Sequence, residues 1–290
     1  MMTWKFFLVL ATFGLALLPE TGQAENLHLK GTCLIIGNGP ERYVIEALAK
    51  EFETLHPETS LDFFWHENAR PGEVVQEGKA DIAIAGEPLP HLESTIVAWD
   101  GIAVVANFAN PIDALTSEQL AQIFSGKLKF WSEIYEEGPE TKIRLIHRTW
   151  NQNIRQSFEK LLGLQKRRGG PRAKVVQTEV QAFKAVNGDI YSLTYVSMGP
   201  ALQAKKDGYG VTLLFVDGIE PEYQTVLDST YPLRRPVIFA MKKNASPIAL
   251  AFRDFVLSPK GQRLVKIGAS GLFHDKRSAV VKYYPLQHQP

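Results

Sequence analysis

The chain has 290 residues, of which 45% are hydrophobic, with 32 basic and 31 acidic side chains and a formal net charge of +1. That near-neutral balance argues against nucleic acid as a bulk electrostatic partner. Cys33 is the only cysteine, which excludes an internal disulfide and any multi-cysteine metal site.

The opening reads as a secretory signal. Lys5 supplies a positive start, Phe6–Leu18 an apolar stretch, and Gly22-Gln23-Ala24 a small-x-small cleavage site. The apolar stretch falls short of the roughly 20 residues that span a bilayer, so cleavage after Ala24 is expected. Cleavage removes Lys5 and Glu20 together, so the net charge is unchanged. The remaining chain of roughly 265 residues suits two lobes of ordinary domain size.

Thr32–Ile36 reads as a buried strand containing Cys33, and it ends at the turn Gly37-Asn38-Gly39. Val44, Leu48, Phe52 and Leu55 then recur at helical spacing until Pro57, and Leu61–Trp65 starts a second strand. This alternation predicts βαβ units, a mostly parallel sheet, and a ligand position at the strand carboxyl ends near helix N-termini. After Pro71–Gly78, strands follow at Ala80–Gly86 and Ile102–Ala106. Thr116 and Gln119 are spaced as a capping box for a short helix with Leu120, Ile123 and Phe124 on one face, stopped by Gly126.

Ile143–Ile146 is a predicted strand leading into Arg148, and Ile154–Leu162 a helix. Gln165–Lys174 has the composition of a solvated basic loop, or of a patch that docks on a partner or an anionic surface. Val180–Val186, Ser192–Val196 and Val211–Phe215 continue the helix–strand alternation. Tyr231–Pro236 interrupts it, Val237–Met241 forms a strand, and Ile248–Leu257 forms a helix halted by Ser258-Pro259.

Leu115–Ile134 (LTSEQLAQIFSGKLKFWSEI) resembles the signature LT-x-EQL-x-x-IF-x-GK-x-x-x-W of the phosphate-binding subunits of ABC transporters. Further matches run in the family's order: EFETLHP at Glu51–Pro57, EGKADIAIAGEPL at Glu77–Leu89, DGIAVV at Asp100–Val105, YVS at Tyr195–Ser197, YPLRRP at Tyr231–Pro236 and FRDFVLSPKGQ at Phe252–Gln262. The resemblance implies an α/β fold of the two-lobed periplasmic binding protein kind (type II), with the ligand cleft between the lobes. It places a signal peptide at 1–24, one lobe at 25–105 plus 236–273, the other at 106–235, and a tail at 274–290.

In that family phosphate is held by uncharged donors on several loops, one arginine and one aspartate. Carried over by position, the candidates here are Asn38 and Gly39 on the first loop, Asn68 and Arg70 on the second, and Arg148, Gln152 and Asn153 on the fourth. The chemistry requires donors to oxygen and a bidentate guanidinium. This chain departs from the pattern at Pro40, at Ile154 and at Gly86, where the proton-accepting aspartate falls, with Glu87 one residue later. A surface or interlobe salt bridge is the alternative for Arg148, and a solvated loop residue that for Arg70. Trp65 and Trp150 are candidate cleft walls, or else core residues.

The histidines include no His-x-x-x-His pair, and Ser157–Lys160 matches Ser-x-x-Lys without the partner motifs of an acylating enzyme. No catalysis, cofactor or metal is expected. The reading is a periplasmic, monomeric solute-binding protein that captures phosphate or a related oxyanion for an ABC permease. The alternative is a binding module for an organic or more apolar ligand, or a partner of a periplasmic sensor. On either reading Arg148→Ala is expected to abolish anion binding and leave folding intact.

Overall fold

The computed structural model describes residues 28–164 and 172–267. The expected signal segment 1–24, the tail 274–290 and the 165–171 part of the basic loop lie outside the described residues.

Strand β1 (Gly31–Gly37), helix α1 (Arg42–Leu55), β2 (Thr59–Trp65), α2 (Pro71–Gln76) and β3 (Ile82–Ala85) begin the first lobe. β1 runs parallel to both β2 and β3, so the predicted βαβ unit is present. α1 packs through Val44, Ile45, Leu48, Ala49 and Phe52, one apolar face at helical period. Leu55, expected on that face, is 46% exposed, because it is the last residue of the helix. Cys33 is a free, fully buried strand residue, and burial pushes its thiol well above the usual range.

A long strand, β4 (Glu93–Asn107), leads out of this lobe. The second lobe holds β5 (Ala114–Leu115), α3 (Ser117–Phe124), β6 (Arg144–Arg148), α4 (Asn153–Leu161), β7 (Lys174–Val176) and α5 (Glu179–Asn187). It continues with β8 (Ser192–Ser197), α6 (Met198–Lys206), β9 (Val211–Leu213), β10 (Phe215–Val216) and α7 (Tyr223–Leu227). β11 (Arg234–Met241) returns to the first lobe, which α8 (Pro247–Leu257) and α9 (Pro259–Ile267) complete. Among the described residues one nine-stranded sheet has the order β2-β1-β3-β11-β4-β8-β6-β7, with β9 also on β4.

The apolar core divides where β4 and β11 pass between the lobes. One cluster gathers buried residues from Ile102 to Leu233, including Trp131, Phe158, Phe183 and Tyr195. Another gathers Leu29 to Ala98 with Val237 to Val265, and a smaller one around Val75 and Ala83 covers further apolar residues of the same lobe. β4 and β11 are antiparallel, and Arg235 sits directly opposite Asp100 at the division.

The capping box of α3 forms in full: the Gln119 amide donates to Thr116 Oγ1 at 3.0 Å, and the Thr116 amide to Gln119 Oε1 at 2.8 Å. Leu120, Ile123 and Phe124 are buried beneath it. Expectation and structure differ at Tyr231–Pro236, where β11 begins at Arg234 and includes Pro236. Pro236 pairs with Trp99 on β4, but pairing with β3 starts only at Ile238, so the missing N–H leaves no ladder bond unmade toward β3.

Candidate functional site

Two loops, one from each lobe, meet at helix N-termini between the lobes. On the first-lobe side β1 ends at Gly37, and Asn38, Gly39, Pro40 and Glu41 lead into α1. On the other side β6 ends at Arg148, and Thr149 to Gln152 lead into α4. Asn38 joins them: its Nδ2 donates to the carbonyls of Ala69 (3.1 Å) and Asn151 (2.8 Å), and its Oδ1 accepts from the Asn153 amide at 3.1 Å. Further bonds close the seam. Asn151 Nδ2 donates to the Ala69 carbonyl, Ser157 Oγ to the Gly86 carbonyl, and Gln177 Nε2 to Glu67. Lys160 pairs with Glu87 at 2.8 Å.

The centre of the seam is ionic and buried. The Arg235 Nε and Nη2 donate to Asp100 Oδ2 at 3.0 and 2.8 Å, and Nη2 also donates to Glu41 Oε1 at 2.6 Å. Asn153 Nδ2 donates to Glu41 Oε2 at 3.0 Å, and Arg235 Nη1 reaches Asn153 Oδ1 at 3.3 Å. Ser197, at the end of β8, donates its hydroxyl to Asp100 and its amide to Glu179 Oε1. Arg148 completes the chain of contacts, donating from Nη1 to Glu179 Oε2 at 2.9 Å, from Nη2 to the Gln177 carbonyl and from Nε to Gln152.

Arg148, Arg235, Glu41, Asp100 and Glu179 are all buried, so three carboxylates face two guanidiniums. Burial pushes Asp100 up to about 6 against the pull of Arg235, and burial raises Glu179 as well. Such a cluster resists further negative charge, since its cations are already engaged and its carboxylates are in excess.

Of the residues expected from sequence, Asn38, Gly39, Arg148, Gln152 and Asn153 gather here. Asn68 is exposed outside the seam, and Arg70, exposed and paired with Glu73 at 3.3 Å, lines a groove beside it with Asn38. Arg148 is buried and already engaged, and its ion pair with Glu179 lies within the second lobe, so the salt bridge does not join the lobes. Gly86 is closely packed: a Cβ there would lie 2.3 Å from Ser157 Oγ, 3.3 Å from the Asn153 carbonyl oxygen and 3.4 Å from Arg235 Nη1, so a side chain requires Ser157 to move. Glu87 lies beyond the end of β3 and is held by Lys160. Trp65 donates from Nε1 to the Gly39 carbonyl at 2.9 Å, which sets it against the first loop. Trp150, 61% exposed, lines a groove of about 360 Å³ with Asn38, Arg70, Pro71, Leu89 and Pro90.

Glu41, Asp100, Glu179, Ser197 and Arg235 were missed as site residues. A signal existed for two of them. Asp100 interrupts the apolar run Val97–Ala106, and Arg235 lies with Arg234 between Leu233 and Pro236. A charge inside such a run calls for a buried partner.

Residues 28–260 match the family described as the PBP superfamily domain. A phosphate-binding protein of Streptococcus pneumoniae is 31% identical over 120 residues, which is 40% of this chain and 41% of that protein. The match therefore spans less than half the length of that relative. A solved ABC-type phosphate transport receptor from Vibrio cholerae superposes with a TM-score of 0.69 and 27% identity, over 80% of this chain and 96% of that one. A structure from Clostridium perfringens with bound phosphate superposes with a TM-score of 0.72 at 24% identity, over 87% of this chain and 99% of that one, a likeness of fold. With its family match extending through both lobes and both connecting strands, the chain belongs to the PBP superfamily as a phosphate-binding-protein-like member.

Proposed function

We propose that this chain is an exported binding protein of ABC-transporter type whose cleft takes an organic solute rather than inorganic phosphate. One observation carries the reading: where the two loops meet, the Glu41 carboxylate already accepts from Arg235 and from Asn153, one of the candidate anion donors. A free dianion entering there would add charge to a cluster already rich in carboxylates, and each donor it failed to find would cost about 1–3 kcal/mol. The groove beside Trp150, Leu89, Pro71 and Pro90 offers an apolar wall next to polar groups, which suits a solute with both characters.

The reading includes cleavage after Ala24, a periplasmic location, a monomeric state, and no catalytic step. Its partner is an ABC permease or a periplasmic sensor. Function follows from closure of the lobes about the Asp100–Arg235 crossing, which presents a closed surface to that partner. Capture of phosphate itself is the second reading, favoured by the relatives, one named a phosphate-binding protein and one an ABC-type phosphate transport receptor.

Calorimetric titration of residues 25–290, refolded to strip carried-over ligand, separates the two. No heat is expected from phosphate, sulfate or arsenate, and native mass spectrometry of unstripped protein should show an organic adduct. Micromolar or tighter phosphate binding would overturn the first reading and establish the second.

A further inference from the structure

We propose that Glu41 is a tethered substitute for a free anion, and that its removal turns the cleft into a receptor for small monovalent oxyanions. This rests on the reading that the cleft does not take phosphate, and it names the residue responsible.

Glu41 has the surroundings of a bound ligand. It is fully buried, its two oxygens accept from a guanidinium and a side-chain amide of different elements, and it sits at the N-terminus of α1. It makes no capping hydrogen bond to that helix, so its carboxylate is directed across the seam and not into its own backbone. The wall behind it is bare, since a Cβ on Gly39 would lie 2.2 Å from Glu41 Oε2.

Charge sets the class of ligand. Without Glu41 the cluster holds two guanidiniums and two carboxylates, with Asp100 still bonded to Arg235 and Ser197. One monoanion then restores the balance seen in the intact protein, whereas a dianion exceeds it. Shape sets its size. Glu41→Ala deletes a CH₂–COO⁻ unit, which is the skeleton of acetate, and leaves Arg235 Nη2 and Asn153 Nδ2 to receive it.

The test follows the melting midpoint of the wild type, Glu41→Ala and Glu41→Gln against acetate, formate and phosphate, with chloride at equal ionic strength as the control. Glu41→Ala should melt below the wild type and rise saturably by about 5–10 °C at a hundredfold excess of acetate or formate over Kd. Wild type and Glu41→Gln should not respond, because the side chain still fills the space. If Glu41→Ala does not fold alone, acetate should restore its refolding. A folded Glu41→Ala indifferent to every anion, or one that no anion rescues, overturns the proposal. Tight phosphate binding by the wild type would instead defeat the preceding reading.

Discussion

Arg235 and Glu41, 194 positions apart in sequence, are joined by a 2.6 Å hydrogen-bonded ion pair with both side chains almost wholly buried. Arg235 also grips Asp100 on the neighbouring strand, so one guanidinium holds the start of α1 to the crossing between the lobes. The pair couples the first-lobe loop to the crossing strands, and Asn153 extends the coupling to the second lobe.

Removing Arg235 should therefore cost more than a surface ion pair would. Arg235→Met leaves Glu41 and Asp100 buried without their cation, and a loss of about 3–5 kcal/mol in unfolding free energy is expected. Urea denaturation measures it. A loss below about 1 kcal/mol, the range of exposed pairs, would mean that the pair is not buried in solution.

Arg148→Ala is revised by the structure. Sequence alone suggested that folding would be untouched, but the side chain is 2% exposed and holds Glu179, Gln152 and the Gln177 carbonyl. A stability loss of about 3–5 kcal/mol is expected here too, because Glu179 is left buried and unpaired. An unchanged denaturation midpoint would show that Glu179 is neutral in the folded protein.

The pH dependence of stability contains two opposed contributions. Burial raises Asp100 from 3.8 to about 6, so the stability it contributes is full below 3.8 and is lost as pH rises through about 6. Burial, with help from Arg155, lowers His147 from 6.5 to about 3, so its contribution is full above 6.5 and is lost as pH falls toward 3. His147→Gln should lose less stability than the wild type between about pH 7 and about pH 4.5, and Asp100→Asn should lose more. Denaturation midpoints of both variants at the two pH values decide the matter. Identical shifts in all three proteins would contradict it.

Asn38 is the polar link between the two loops. Asn38→Ala deletes its bonds to Ala69, Asn151 and Asn153, each worth about 0.5–1.5 kcal/mol, so the seam should open more often. Hydrogen exchange at the Asn153 amide should accelerate, and the scattering radius should grow. Exchange as slow as in the wild type would show that other bonds hold the seam.

The sequence by itself determined the local elements and the family. Periodicity placed α1, because Val44, Leu48 and Phe52 share one face of any helix whatever packs on it. The capping box of α3 was legible because Thr116 and Gln119 satisfy each other within a single turn. Collinear motifs then implied the two-lobed scaffold. The first and fourth loops were likewise identified by position, and the structure brings Asn38 of one against Asn153 of the other, while Asn68 stands exposed on the second loop.

Only the tertiary structure decided which charges meet between the lobes. In sequence Glu41 stands ahead of the helical period that begins at Val44, and Arg235 lies in the proline-containing Tyr231–Pro236 segment, so nothing local joins them. Their meeting depends on the pairing of β4 with β11 and on contacts that span most of the chain. Short-range propensity depends on neighbours within a turn or two, whereas the sign of a buried electrostatic cluster depends on which distant charges the fold brings out of water together.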